Sequence, residues 1–140
     1  MAYLIDTNVW LAAIFDSHVH HQAARNWIDQ AVEPLAFCRS TQISFLRLVT
    51  SKAVFGPEAL TNREAQKLLL SLLDDDRIFL AKEPSDLEKL WFQYTAKNAR
   101  SPSLWMDAYL AAFAVRHGFQ IVTFDNGFHQ FSGVKIRMLP

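Results

Sequence analysis

The sequence predicts a single α/β domain in which helices cover both faces of a mainly parallel sheet of four to five strands. Three observations lead to this prediction. The chain has 140 residues, which is the size of one domain. Short apolar runs alternate with segments of helical periodicity along the whole length. No repeat, linker or low-complexity stretch interrupts that alternation, so residues 1–140 are expected to form one domain.

The first strand is predicted at Tyr3–Ile5, where a short apolar run stops at the charged Asp6. Asn8 is a residue type that caps helices, so the first helix is expected to begin there. A second helix is expected over residues 20–31, because apolar residues recur there at helical spacing. Glu33-Pro34 ends it, since proline cannot continue a helix.

The second strand is expected at residues 35–38, which form another short apolar run. Ser40 or Thr41 then begins a helix with an apolar face. Gly56-Pro57 indicates that this helix is followed by a loop.

Thr61 and Glu64 have the spacing of a capping box, which predicts a helix from there to about Leu73. The acidic run 74–76 ends that helix, and residues 77–80 form the predicted third strand. The helix carries more leucines than one face can hold. Such a helix is either deeply buried or paired with another protein.

The last third of the chain holds two more helices. One is opened by Ser85, and the other, residues 104–116, is closed by Gly118 in the C′ position. The polar segment 97–103 between them is predicted to be a loop. The tryptophans carry helical apolar neighbours and are expected in the core, although Trp105 is close enough to Asp107 to stack on a base. The remaining strands are expected at residues 119–123 and 134–138.

Composition narrows the function classes. Hydrophobic residues make up 51% of the chain and charged residues 20%, which is enough to fill a core. The 14 basic and 14 acidic residues cancel, so any nucleic-acid contact must use a local basic patch. The single Cys38 cannot form an intrachain disulfide, and no signal peptide or membrane span is apparent. A cytoplasmic protein with no membrane partner is therefore expected.

Two predicted strands end at aspartates. Asp6 follows the first strand and Asp125 follows the fourth, while Asp107 lies in the first turn of a late helix. Ligands of open α/β sheets bind beyond the carboxyl ends of the strands, so all three carboxylates are expected in one crevice. Converging carboxylates repel one another unless a cation lies between them. A divalent ion with a preference for oxygen ligands, Mg²⁺ or Mn²⁺, is therefore expected.

Each aspartate also has a purely structural interpretation. An aspartate at a strand end is often only a turn former or a helix cap, and Asp107 would suit the positive end of its helix. The histidine-rich stretch Asp16–His21 resembles a metal-binding tract, but imidazole suits softer metals than Mg²⁺. A solvated helix entry is the preferred interpretation of that stretch.

Three segments together resemble the PIN-domain family, and within it the VapC-type toxins of toxin–antitoxin pairs. They are residues 5–11, 105–114 and 122–128, and the resemblance covers nearly the whole chain. It implies a PIN-like three-layer fold and a metal-dependent endoribonuclease that leaves a 3′-hydroxyl and a 5′-phosphate. It also implies that Asp6, Asp107 and Asp125 are catalytic and bind metal.

The resemblance implies partners as well. These are an RNA substrate and a small VapB-like antitoxin that silences the toxin. The leucine-rich helix after Thr61 would suit an antitoxin groove or a homodimer contact, and a chain of zero net charge is prone to self-association.

One position departs from the family pattern. Such toxins usually carry a glutamate on the helix after the second strand, and Gln42 is the residue that aligns there. An amide oxygen ligates weakly and carries no charge, so weaker binding of at least one metal ion is expected.

Two alternatives stay open from the residues alone. A metal-dependent phosphohydrolase is disfavoured, because the chain lacks an Asp-x-Asp-x-Thr start and a glycine-rich phosphate loop and has only 4 glycines. The other is a catalytically weakened PIN module that binds RNA or a partner, with Gln42 in place of the acid.

Overall fold

A computed structural model describes residues 1–140 and shows five strands and seven α-helices in alternation. The strands are β1 Tyr3–Ile5, β2 Leu35–Phe37, β3 Ile78–Leu80, β4 Gln120–Thr123 and β5 Lys135–Met138. The helices are α1 Thr7–Ile14, α2 His21–Gln30, α3 Arg39–Val49, α4 Lys52–Phe55, α5 Asn62–Leu73, α6 Leu87–Thr95 and α7 Leu104–His117. Two short 3₁₀ helices occupy Gly56–Glu58 and Asn126–Gln130.

The strands form one sheet in the order β3-β2-β1-β4-β5, and every neighbouring pair is parallel. Strand β1 lies in the centre, and its Tyr3 is in register with Leu35 of β2 and Gln120 of β4. After β1, the chain adds β2 and β3 on one side of it, and then crosses over to add β4 and β5 on the other side. This reversal lies between β1 and β4, which is where open α/β sheets form a binding crevice. The predicted parallel sheet is confirmed.

Helices cover both faces of the sheet, as predicted. One core is built on Trp10 of α1, which stacks on Phe37 of β2 with ring centroids 4.3 Å apart, and it extends to α2, α3 and α5. The opposite core centres on Phe113 of α7 and includes residues of α6. Consecutive strand residues alternate between them, with Leu4 in one and Ile5 in the other. This is the side-chain period of an extended strand.

Several helix boundaries differ from the sequence predictions. Helix α1 begins at Thr7, directly after β1, so Asp6 rather than Asn8 occupies the N-cap position. Helix α3 begins at Arg39, because the hydroxyl of Thr41 accepts a hydrogen bond from the backbone amide of Cys38 at 2.9 Å and draws it into the N-cap position. The loop predicted around Gly56-Pro57 is wrong. Helix α4 and a 3₁₀ turn fill that stretch, and proline is tolerated in the first turn.

Other local predictions are confirmed. The Thr61 hydroxyl accepts from the amide of Glu64 at 3.2 Å, and the Glu64 carboxylate accepts from the amide of Thr61 at 2.9 Å. Gly118 ends α7 with a φ of +71°, a left-handed conformation that favours glycine. None of the helices is both long and apolar enough to span a membrane.

Candidate active site

Two neighbouring central strands bring Asp6 and Asp125 to the same edge of the sheet. Asp6 directly follows β1, and its amide donates to the carbonyl of Val122 in β4 at 3.0 Å. Asp125 lies two residues beyond the end of β4. Because β1 and β4 are parallel, their carboxyl ends coincide, and the two aspartates share one crevice.

The carboxylate of Asp6 does not cap helix α1, although Asp6 occupies the N-cap position. Its backbone carbonyl accepts from Val9 at the start of α1, but its carboxylate makes no capping hydrogen bond. Instead Oδ2 accepts a hydrogen bond from the hydroxyl of Thr123 at 2.7 Å. Burial raises the pKa of Asp6, and hydrogen bonds from Thr123 and the backbone of Thr7 oppose that rise. The nearby negative charge of Asp125 adds to it.

Asp107 lies half-buried in the first turn of α7. Burial raises its pKa to about 6, and the charges of Asp125 and Asp6 contribute to that rise. The contributions of Asp125 and Asp6 to this rise indicate that Asp107 lies near the edge of the sheet where β1 and β4 end.

Asp125 is the most exposed of the three. Its Oδ1 accepts from the amide of Gly127 at 2.8 Å and so caps the 3₁₀ helix that follows β4. A Cβ at position 127 would lie 3.1 Å from that oxygen, so the close approach suits glycine. Capping of the 3₁₀ helix therefore accounts for Oδ1 of Asp125, while its Oδ2 makes no hydrogen bond.

No cationic side chain neutralises this cluster. The four ion pairs of the protein involve other acids. Repelling carboxylates without a cation are the donor set that a divalent metal ion requires. No three histidine, cysteine or acidic side chains converge tightly enough to enclose an ion. Mg²⁺ commonly keeps several waters and uses only one or two carboxylates, so the residues present fit such an ion.

Comparison with known proteins places this arrangement in a family. The model of the PIN domain matches residues 3–134. The chain belongs to the PIN-domain family. Ribonuclease VapC41 of Mycobacterium tuberculosis is 48% identical over 142 aligned residues, which cover 97% of both proteins. Ribonuclease VapC38 of the same organism is 32% identical, with 89% of this chain and 85% of the relative covered.

Solved structures confirm the PIN fold. The crystal structure of M. tuberculosis VapC20, a toxin that cleaves the sarcin–ricin loop, aligns with a TM-score of 0.68 and 19% identity, covering 96% of this chain and 98% of that one. VapBC2 from Rickettsia felis, bound to a DNA fragment from its promoter, aligns with a TM-score of 0.71 and 14% identity over 100% of both chains. At these identities the likeness concerns the fold.

The side chain at the position that departs from the PIN pattern is hydrogen-bonded to another side chain of the protein. Gln42 lies in the first turn of α3 and is 3% exposed. Its Oε1 accepts a hydrogen bond from Nη1 of Arg39 at 2.7 Å. The amide oxygen of Gln42, which the sequence suggests as a weak metal ligand, therefore already accepts a hydrogen bond from the guanidinium of Arg39.

Two expectations about this PIN domain are corrected. Trp105 is not in the core, because 51% of its surface is exposed at the start of α7. The histidine stretch is not simply solvated. The ring of His20 stacks on Phe124 with centroids 4.4 Å apart, and Nδ1 of His21 lies 2.7 Å from the carbonyl of Ala12. These contacts tie the start of α2 to α1 and to the residue before Asp125.

Proposed function

We propose that this PIN domain is a metal-dependent endoribonuclease that acts as the toxin of a toxin–antitoxin pair. The observation that carries the proposal is the cluster of Asp6, Asp107 and Asp125, in which burial and the neighbouring negative charges raise the pKa of Asp6 and Asp107 and no cationic side chain neutralises them. The 48% identity to a VapC ribonuclease over nearly the whole chain supports the same activity. We also propose that residues 1–140 form a single PIN domain.

The proposed metal is Mg²⁺, with Mn²⁺ as a substitute. A divalent ion held at such a site supplies Lewis-acid chemistry, acidifying water and stabilising negative charge on phosphate oxygens. Asp6 and Asp107 are proposed as its principal ligands. Asp125 orients the attacking water or contributes to a second ion through its free oxygen.

Thr123 has a positioning role in this proposal. Its hydroxyl donates to Asp6 and accepts from the amide of Asp125 at 3.0 Å, so one side chain links both aspartates. The donated hydrogen bond favours the ionised form of Asp6, which is the form that binds metal.

The proposed partners are an RNA substrate, a VapB-like antitoxin and a second copy of the chain. Helix α5 supports a protein contact, because Leu70 is 64% exposed while the other leucines of the helix are partly buried. VapBC2 of R. felis was crystallised as a toxin–antitoxin complex, and a complex of the same kind is proposed here.

The test is cleavage of RNA by the purified protein. We expect cleavage with Mg²⁺, none with EDTA, and none with Asp6→Asn or Asp107→Asn. Asp16→Asn is the matched control, because Asp16 is an exposed aspartate on the loop after α1. Cleavage that survives EDTA, or that survives both site substitutions, contradicts the proposal. Metal binding without any cleavage would instead indicate a module that only binds RNA or a partner.

A further inference from the structure

The first turns of α7 and the neighbouring α6 form an aromatic surface that is not covered by core packing. An apolar cavity of about 210 Å³ is lined by Ser40, Trp91, Trp105, Met106 and Tyr109. Trp105 is 51% exposed and Met106 is 45% exposed. A tryptophan that leaves half of its surface in solvent beside an apolar cavity offers a flat face to a ligand.

This surface is held rigid by its neighbours. The ring of Trp91 meets Trp105 edge-on with centroids 6.1 Å apart, and it meets Tyr109 edge-on at 5.6 Å. The indole Nε1 of Trp91 donates to the carbonyl of Trp105 at 2.9 Å, which fastens α6 to the first turn of α7. The hydroxyl of Tyr109 donates to Glu83 at 2.6 Å. A preorganised surface loses little freedom when a ligand binds.

The surface and the proposed catalytic carboxylates lie on different faces of the first turn of α7. Trp105 and Asp107 are two residues apart, so they point about 200° apart around the helix axis and lie about 3 Å apart along it. Trp105 faces Trp91 of α6, while Asp107 responds to the charges of Asp6 and Asp125. Ser40, on the other wall of the cavity, follows β2 at the same edge of the sheet.

A second cavity is also lined by Trp105 and contains two basic residues. It has a volume of about 430 Å³, and its lining includes Lys97, Arg100 and Trp105 itself. Both cations are exposed and neither forms an ion pair, although Nζ of Lys97 lies 3.5 Å from Oε1 of Gln130. In a chain with no net charge, this is a local basic patch of the kind that nucleic acid requires.

We propose that Trp105 is a base-stacking subsite for single-stranded RNA, with Lys97 and Arg100 binding the phosphate that follows the stacked base. The inference rests on the proposed ribonuclease function and extends it to a nucleotide that is bound outside the acid cluster. The apolar cavity takes a base, the basic cavity takes a phosphate, and Trp105 lines both. Aromatic faces joined to basic grooves are how proteins bind single strands. Charge complementarity favours RNA over an apolar protein segment.

The test measures binding of a short fluorescent single-stranded RNA by anisotropy, in EDTA so that it is not cleaved. Base stacking is worth enough that Trp105→Ala should weaken binding by about 5- to 150-fold. Trp105→Phe retains a ring and should lose only a few-fold. Phe92→Ala is the matched control, because Phe92 is also 51% exposed, lies on the neighbouring α6 and lines neither cavity. It should bind as the wild type does.

Abasic RNAs make the test independent of whether Trp105→Ala folds. In the wild type, removal of one particular base should weaken binding by a similar factor. In Trp105→Ala or Trp105→Phe, the same removal should have a smaller effect, because the stacking partner is absent or smaller. If no abasic position weakens binding to the wild type, the subsite is wrong. If Trp105→Ala weakens binding of an antitoxin while RNA binding is unchanged, the surface is a protein interface and the inference is overturned.

Cleavage measured in Mg²⁺ separates this inference from the proposed function. A wild type that cleaves RNA through Asp6 but shows no abasic effect overturns the subsite and leaves the nuclease intact. A wild type that shows the abasic pattern but cleaves nothing supports the subsite and contradicts the nuclease.

Discussion

The hydroxyl of Thr123 donates a hydrogen bond to Oδ2 of Asp6 across 117 positions of sequence, at 2.7 Å. A hydrogen bond donated to a carboxylate favours its ionised form. Thr123→Val removes that bond and should therefore raise the pKa of Asp6 further. The acidic limb of the cleavage profile should move to higher pH. Thr123→Ser keeps the hydroxyl and should leave the profile in place, whereas an unmoved limb in Thr123→Val would show that this bond does not set the ionisation of Asp6.

The raised pKa of Asp107 makes the metal-free protein less stable as the pH rises. Its folded-state pKa is about 6 against an ordinary value of 3.8, so the folded state binds this proton more tightly than the unfolded chain. That stabilisation is complete below the unfolded pKa and is lost as the pH rises through about 6. In EDTA, the melting temperature of the wild type should therefore fall between pH 5 and pH 7 relative to that of Asp107→Asn.

Metal should reverse this trend, because bound cations need ionised carboxylates. The rise in melting temperature caused by Mg²⁺ should be larger at pH 7.5 than at pH 5, and it should be absent in Asp107→Asn. A rise of equal size at both pH values would mean that the ion binds elsewhere.

The cations of the basic cavity should appear in the salt dependence of RNA binding. Each phosphate contact on a single strand contributes about 0.7 to the slope of log K against log salt. Lys97→Ala and Arg100→Ala should each reduce the slope by about that amount. Lys89→Ala removes the same charge from an exposed position on α6 outside both cavities and should leave the slope unchanged.

Gln42→Glu tests the departure from the family pattern. A new carboxylate at this buried position would pair with Arg39, so the fold should tolerate it. We expect tighter Mn²⁺ binding by calorimetry, because an added negative charge on the first turn of α3 attracts the cation. Gln42→Met, of similar volume and without charge, is the control. Unchanged Mn²⁺ affinity in Gln42→Glu would show that the ion pair with Arg39 cancels the attraction between the new carboxylate and the metal ion.

The capping box of α5 provides a stability prediction that is independent of activity. Thr61→Ala removes the side chain that accepts from Glu64, and loss of such a cap costs about 1 kcal/mol of unfolding free energy. Urea denaturation should show this loss with an unchanged m-value. Thr50→Ala is the comparison, because its hydroxyl bonds only carbonyls within its own helix end. An equal loss of unfolding free energy in both variants would show that the capping box stabilises the protein no more than an ordinary threonine hydroxyl does.

The parallel sheet and the placement of Asp6 and Asp125 at one of its edges could be predicted from sequence because each depends on local patterns. Short apolar runs that stop at Asp6 and Asp125 place those residues at strand ends, and a parallel sheet then brings the ends together. The capping box at Thr61 and the left-handed Gly118 are also local signals. These features need no knowledge of how distant segments pack.

The missed features depend on tertiary placement. Helix α7 is apolar on most of its circumference, so its periodicity predicts a buried Trp105, but core packing leaves that residue 51% exposed at the start of the helix. The hydrogen bonds from Thr123 to Asp6 and from Arg39 to Gln42 depend on side-chain conformation, which residue spacing does not predict. Sequence therefore located the acids but not the groups that hold and surround them.

The pairing of the first strand with the fourth has a consequence for biosynthesis. Strand β1 is synthesised more than a hundred residues before its partner β4, which begins at Gln120. A nascent chain that has not reached Thr123 lacks both the hydroxyl that orients Asp6 and the carboxylate of Asp125. The centre of the sheet and the acid cluster beside it can therefore assemble only after β4 has emerged, so synthesis of the chain and completion of the site are coupled.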